Sequence, residues 1–404
     1  MLTLGIGIGP PFGGVNNTPY SVFGSALKVW HDNQDLTTLF SDFVGTAASV
    51  GSRVALQFDK SLMGGMSVSA WIAAQTQMIT NGTFDTDTTG WTFQAGNSTA
   101  TVSSGGVTVL NGIAAVNYFY QAITTVVGQL YLATGEITAA TASSYRFRKA
   151  DNNTATANVV DIGTAATTGS KYRVFVATAT TTYIIMQVNG AGVGATFDNI
   201  SVKALPGYHR YQATTASQPY LRQNATTGAY YLECDGSDDG MVTPSLDLSA
   251  TDKVAVFTAA RKIGTTNGAL LENSATSASN DGTFAVFSPN GSGATDIAFR
   301  SRGTTIQDTI ASGYTSPITN VLTGIGDISG DSGILRINGA QAASNSGDQG
   351  TGNYGNYALY YFRRGGSSLP FNGYEYGNMI VAGAVNAGQI AFAETLYNRL
   401  SGAY

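Results

Sequence analysis

Five aromatic residues, Trp91, Tyr118, Tyr120, Tyr145 and Phe147, alternate with polar neighbours in the first half of the chain. Flat rings of this kind pack on the C–H faces of sugars, while nearby amides and carboxylates take the hydroxyls. At a period of two, Tyr118 and Tyr120 share one strand face, and Tyr145 and Phe147 share another. Each pair serves equally well as core, and Trp91, directly after Gly90, reads as core. Asp235, Asp238 and Asp239 lie within five residues of one another in CDGSDDG. Such a cluster could ligate a metal or do acid–base work, but Asp and Gly also make turns, and the segment reads as a turn between two strands.

Other reactive side chains give less. His31 and His209 are the only histidines, and their separation offers no ligand spacing. Cys234 alternates with Leu232 and reads as a small buried residue rather than a nucleophile. Glu136, Glu233, Glu272, Glu375 and Glu394 are the only glutamates, and none sits in a recognisable catalytic motif. Glycoside cleavage by the usual route needs two carboxylates about 5–10 Å apart across a cleft. Gly5, Gly7 and Gly9 lack the strand–turn–helix setting and the lysine of a phosphate loop.

The elements that must carry these residues are strands. The chain has 404 residues, only 11% charged, with 50 Gly, 21 Tyr and 18 Phe. So many aromatics argue against disorder, and the Gly/Asn-rich turns between short apolar runs indicate an all-β protein. The net charge of −5, without an extended basic face, excludes nucleic acid as an expected partner. A single Cys excludes an intrachain disulfide framework. No apolar run approaches the ~20 residues of a membrane span. The opening MLTLGIGIGPPFGG carries no Lys or Arg before its apolar part and reads as too short and Gly-rich for a signal peptide.

Residues 1–24 read as an extended arm: Pro10-Pro11 blocks helix, and Leu2, Leu4, Ile6 and Ile8 alternate with Thr or Gly, a pattern that can add to a neighbour's sheet edge. Asp35 reads as the cap of one helical turn. Between 79 and 203, about eight alternating segments suggest a jelly roll. Further strands follow from 206 onward, and Asn338-Gly339 signals a hairpin. Ile390, Ala393, Leu396, Tyr397 and Leu400 recur at helical spacing.

Two resemblances organise these pieces. LKVWHDNQDLTTLFSD (27–42), LQFDKS (56–61), the stretch 218–262 around YLECDGSDDG, and FNGYEYGNMIVAGAVNAGQIAFAETLYNRLS (371–401) together resemble the concanavalin A-like, laminin-G-like domains of tailed-phage virion proteins. Asn81-Gly82-Thr83-Phe84 and Phe197-Asp198-Asn199-Ile200-Ser201-Val202 resemble the two ends of carbohydrate-binding-module jelly rolls. The likeness implies two β-sandwich jelly-roll domains, one inserted in the other. The parse is an arm at 1–24, a discontinuous sandwich at 25–78 and 204–404, and an inserted sandwich at 79–203, with a short C-terminal helix. It also implies that Asp85 and Asp198 could hold a structural Ca²⁺, an ion that takes six to eight oxygens. Fold follows strongly from such likeness and ligand weakly.

The expected function is a structural virion component, in tail or capsid, that contacts host-surface glycans through Tyr118, Tyr120, Tyr145 and Phe147. The expected partners are other virion proteins, reached through the arm, and copies of itself, with a trimer plausible. The alternatives are a virion-associated depolymerase and a decoration protein without ligand.

Overall fold

The computed structural model describes residues 18–94, 98–103, 105–112, 116–140, 145–163, 168–291 and 295–404. Among these, nearly every regular element is an antiparallel strand. Two large sheets form the discontinuous sandwich. The eight-stranded one runs Tyr220–Gln223, Tyr230–Asp235, Asn372–Ala382, Lys253–Lys262, Ile318–Asp327, Ser332–Ile337 and Ala340–Asn345, with Leu27–Asp32 also pairing to Asn372–Ala382. The nine-stranded one starts from Leu39–Phe40, Leu56–Gln57 and Arg210–Tyr211 and continues through Met241–Asp247, Asn356–Tyr361 and Ala269–Asn273 to Ile306–Ala311. Alternate apolar residues from both, such as Val256, Leu335, Phe284 and Phe299, close the core between them. Asn338 and Gly339, both at positive φ, form the expected hairpin turn.

The inserted sandwich is two five-stranded sheets. One orders Val160–Gly163, Tyr145–Ala150, Thr181–Asn189, Val116–Thr124 and Thr92–Phe93; the other orders Gly169–Val176, Leu130–Ala140, Gly194–Leu205, Val107–Leu110 and Thr99–Val102. Thr99–Val102 and Val160–Gly163 escaped the sequence reading because their short runs give too little apolar contrast. The two end motifs meet, and their geometry explains them. The Ile200 N–H donates to the Gly82 carbonyl at 2.9 Å. A Cβ on Gly82 would lie 2.0 Å from the Ile200 carbonyl oxygen, so no other residue fits there. Asn199, at φ 52°, makes the bulge that separates Asp198 from Ser201 in the ladder. Phe84 is fully buried, and Trp91 stacks on Phe119 at 5.4 Å as core.

The sandwiches share a third apolar cluster. Leu56, Phe58, Val68 and Trp71 from one pack with Leu130, Leu132, Val174 and Leu205 of the other. The Val174 N–H also donates to the Phe43 carbonyl at 2.7 Å, fastening a loop of the host sandwich to the edge strand of the insert.

Asp35 caps the single turn Leu36–Thr38 as expected. The C-terminal helix is Ala387–Ser401, capped by Asn386 with Gln389 and stopped by Gly402 in the left-handed region. Its Ala393 and Tyr397 are buried beside Phe257, Met379 and Val381.

The arm is corrected at its inner end. Pro19–Phe23 is a helical turn, with Thr18 and Ser21 forming a capping box and Pro19 at the first turn. Phe23 is buried against Phe257 and Phe392, 5.8 and 6.2 Å between ring centres. This segment therefore belongs to the sandwich. Residues 1–17, which include Pro10-Pro11 and the alternating Leu/Ile positions, lie outside the described residues. No helix among the described residues is long and apolar enough to cross a membrane.

Candidate functional site

In the first insert sheet, register decides which aromatics face out. Phe119, Tyr145, Phe147, Ile184 and Met186 point into the core. Tyr145 is 2% and Phe147 0% exposed, so the expectation that this pair contacts a ligand is corrected: both are core. The outward face carries the residues between them. Tyr118 pairs with Gln187, and Gln187 with Arg146, in one row across the sheet. Thr92, Tyr120, Ile185, Arg148 and Asp161 make the next row. Tyr183 follows, its ring edge-on to Tyr120 at 5.5 Å. Tyr118 and Tyr120 are half-buried, as a ring with one free face should be.

The polar groups of this face are fixed. Arg148 donates to Asp161 and to Gln187 Oε1. Asn153, from the following loop, donates to the Tyr120 hydroxyl at 3.2 Å and overhangs one end. Arg146 donates only to its neighbour's carbonyl, Tyr145 O, at 3.1 Å and pairs with no carboxylate among the described residues. The face thus offers two aromatic rings and a guanidinium with donors to spare, while the Gln187 amide is buried, accepting from Arg148 and donating to Asn189 Oδ1. None of Arg146, Arg148, Tyr183 and Gln187 was among the residues expected to contact a ligand, although Arg146 and Arg148 form part of a short basic run. The signal was present: Arg on both sides of Phe147 marks the polar face of that strand.

The proposed Ca²⁺ ligands lie near each other. Asp198 pairs across the ladder with Glu136. Its carboxyl is raised from the usual range by burial first, and further by the charges of Glu136 and Asp85. The Thr83 hydroxyl donates to Asp85, and the Asn199 N–H and amide donate to Asp198. Oxygen donors suit a hard cation, but among the described residues only Asp235, Asp238 and Asp239 bring three ligating oxygens within 4.8 Å of one another. Glu136 is a further carboxylate beside Asp198 that the end motifs did not reveal.

Asp235, Asp238 and Asp239 do converge, with ligating oxygens within 4.8 Å of one another. Their oxygens are already engaged. Asp239 accepts from the Asp235 N–H and faces Arg53 at 3.5 Å, and Asp238 accepts from the Ser217 hydroxyl at 2.7 Å. Burial pushes the Asp239 carboxyl up to about 6. With Gly236 at φ +77° between two strands, the segment is the turn that its composition suggested.

Four of the glutamates are bound to arginine: Glu233 to Arg222, Glu272 to Arg364, Glu375 to Arg210 and Glu394 to Arg336, at 2.6–3.0 Å. Cys234 is buried, and burial pushes its thiol well up. His31 and His209 are fully buried and held low by burial, His209 at about 3. The His209 Nδ1 accepts from the Asp59 N–H at 2.9 Å, so this histidine fixes the backbone rather than meeting solvent.

No family model matches the chain, and no curated protein matches it. Solved structures give partial likeness. One is the CBM40 of the Ruminococcus gnavus IT-sialidase bound to α2,3-sialyllactose: 16% identity, 40% of this chain, 95% of that chain, TM-score 0.30. Another is the NanB sialidase of Streptococcus pneumoniae, at 12% identity over 40% of this chain and 27% of that one, TM-score 0.31. A third is the binding domain of botulinum neurotoxin serotype D, at 11% identity over 45% and 47%, TM-score 0.33. At such scores the ligands of these proteins say nothing about this one.

Proposed function

We propose that this chain is a non-catalytic glycan-binding structural protein, and that it serves a tailed-phage virion as an attachment or decoration component. The observation that carries the binding reading is the row Tyr118–Gln187–Arg146 beside Tyr120, on the outer face of an insert sheet. Half-exposed rings supply the stacking surface and the Arg146 guanidinium supplies directional contacts, the division of labour that sugar recognition requires. The engagement of four glutamates by arginines supports binding over cleavage, since an acid held in an ion pair is a poor proton donor. The virion part rests on the sequence resemblance, with residues before Thr18 as the anchor to other virion proteins and self-association as a homo-oligomer.

Tyr118→Ala combined with Arg146→Ala should weaken retention on immobilised host polysaccharide at least tenfold with the melting temperature unchanged. Equal retention would remove the site. Shortening of the polysaccharide by the unaltered protein would overturn the non-catalytic reading.

From the resemblance of the two end motifs we also propose that Asp85 and Asp198 hold a structural Ca²⁺ with loop carbonyls completing its shell, which would screen the repulsion among Asp85, Asp198 and the nearby Glu136 and tie the two ends of the insert together. An ion bound only by the folded state stabilises it by mass action. Chelator should therefore lower the melting temperature and added Ca²⁺ restore it, with the response lost in Asp198→Asn. A melt indifferent to both reagents would remove the ion.

A further inference from the structure

A second concavity lies where the two sandwiches meet. It is an open cleft of about 450 Å³, lined by Phe43 and Tyr211 from the host and by Lys149, Val159, Arg173 and Phe175 from the insert. The volume falls in the range of small-molecule sites and suits one or two sugar rings. Phe43 and Tyr211 meet edge to face at 6.3 Å, giving an aromatic wall.

The lining also carries two cations. Arg173 has no ion pair among the described residues, and its Nε is buried without a hydrogen-bond partner. Its guanidinium stands 5.9 Å from the Phe43 ring centre. Asp42 and Asp161 act on it from a distance, but both are engaged elsewhere: Asp42 accepts from the Val44 and Thr46 N–H groups, and Asp161 from Arg148. Lys149 is 99% buried, with its Nζ 3.4 Å from Asp151 and 3.2 Å from the Thr178 hydroxyl. Asp151 is shared further, accepting from Thr178 and Asn158. Burial depresses both cations, with Asp151 compensating Lys149 only in part. Lys149 is withdrawn from water and the half-buried Arg173 keeps a buried Nε without a partner, so an anion in this aromatic cleft would complete both.

We infer that the junction cleft binds a carboxylate-bearing sugar, with the carboxylate on Arg173 and Lys149 and the ring against Phe43 and Tyr211. A charge-assisted contact to a guanidinium is among the stronger and more directional ones available. The site is separate from the outer face around Tyr118, and it uses residues from both sandwiches.

The test is saturation-transfer NMR and calorimetric titration of the full chain with glucuronate, with glucose as the uncharged control. Glucuronate should bind and glucose should bind at least tenfold more weakly. Arg173→Gln should weaken glucuronate at least tenfold. Val159→Glu, at an exposed position on the cleft's lip, should do the same by repulsion without touching the core, so misfolding cannot account for both. Tyr118→Ala should leave glucuronate binding unchanged. Absence of glucuronate binding, equal binding of glucose, or unchanged affinity in both cleft variants would each overturn the inference. So would loss with Tyr118→Ala and retention in Arg173→Gln, which would move the acidic sugar to the outer face.

Discussion

Replacing Glu375 with alanine should cost about 3–5 kcal/mol of stability, the usual result of stranding a buried charge. Glu375 is 1% exposed and meets the fully buried Arg210 through both carboxylate oxygens, at 3.2 and 2.9 Å. The remaining donors of Arg210 go to Gln57 Oε1 and Asn33 Oδ1, and Asn33 and Asn378 donate back to Glu375. The Tyr361 hydroxyl closes the set on Asn378, and its ring lies 4.9 Å from the Arg210 guanidinium. Every polar atom taken from water thus finds a partner inside, the condition for such a network to be tolerated. Its members come from 33, 57, 210, 361, 375 and 378, so it joins both pieces of the interrupted sandwich. Removing both charges together, as Arg210→Met with Glu375→Leu, should cost less than Glu375→Ala alone. Denaturant midpoints will decide: a loss below about 1 kcal/mol for Glu375→Ala would mean the network is slack.

The second large effect is acid sensitivity. His31 and His209 are fully buried and neutral, with folded pKa values held below the ordinary histidine value of 6.5 by burial. Below pH 6.5 the unfolded chain takes protons that the folded chain refuses, so stability falls as pH drops from there toward about 3. At pH 5, His209 alone corresponds to a loss of roughly 2 kcal/mol. Asp239 acts in the opposite sense. Burial raises its folded carboxyl to about 6, above the ordinary aspartate value of 3.8, so acidification through pH 6 favours the folded state. Asp59, raised by burial, adds to that side. The melting temperature should fall between pH 7.5 and 5, fall less in His209→Leu, and fall more in Asp239→Asn. Parallel curves for the three proteins would show that neither group carries the dependence.

Much of the architecture was legible. Asn81-Gly82 and Asp198-Asn199 marked the seam of the insert through their resemblance to module ends, and the structure supplies the physical reason: only glycine fits under the Ile200 carbonyl, and asparagine tolerates the left-handed bulge. Those are local steric demands, and they leave local signatures. The C-terminal helix was legible for the same reason, through its spacing. The turn Pro19–Phe23 was overlooked although Thr18-Pro19 and Ser21 carry a helix-start pattern, because the low-complexity stretch before it masked the change.

The outward face of the insert sheet was legible only by half. A period of two states that Tyr118 and Tyr120 lie opposite Phe119, and that Tyr145 and Phe147 lie opposite Arg146 and Arg148. It does not state which side meets the core when both sides are aromatic. Pairing with Thr181–Asn189 decided it, by placing Phe119, Tyr145 and Phe147 against the second insert sheet and leaving Tyr118, Tyr120 and the arginines outside.

The sequence alone determined the all-β class and the helical close, since each is encoded by residues near one another in the chain, while the interrupted order of the two sandwiches was carried by the resemblance of segments far apart. Tertiary structure alone decided that Arg210 is buried on Glu375, 165 residues away, that Glu136 joins Asp198, and that Lys149 and Arg173 face Phe43 across a cleft. Burial and charge pairing are set by what arrives from distant segments, and a side chain's own neighbours in sequence carry no record of them.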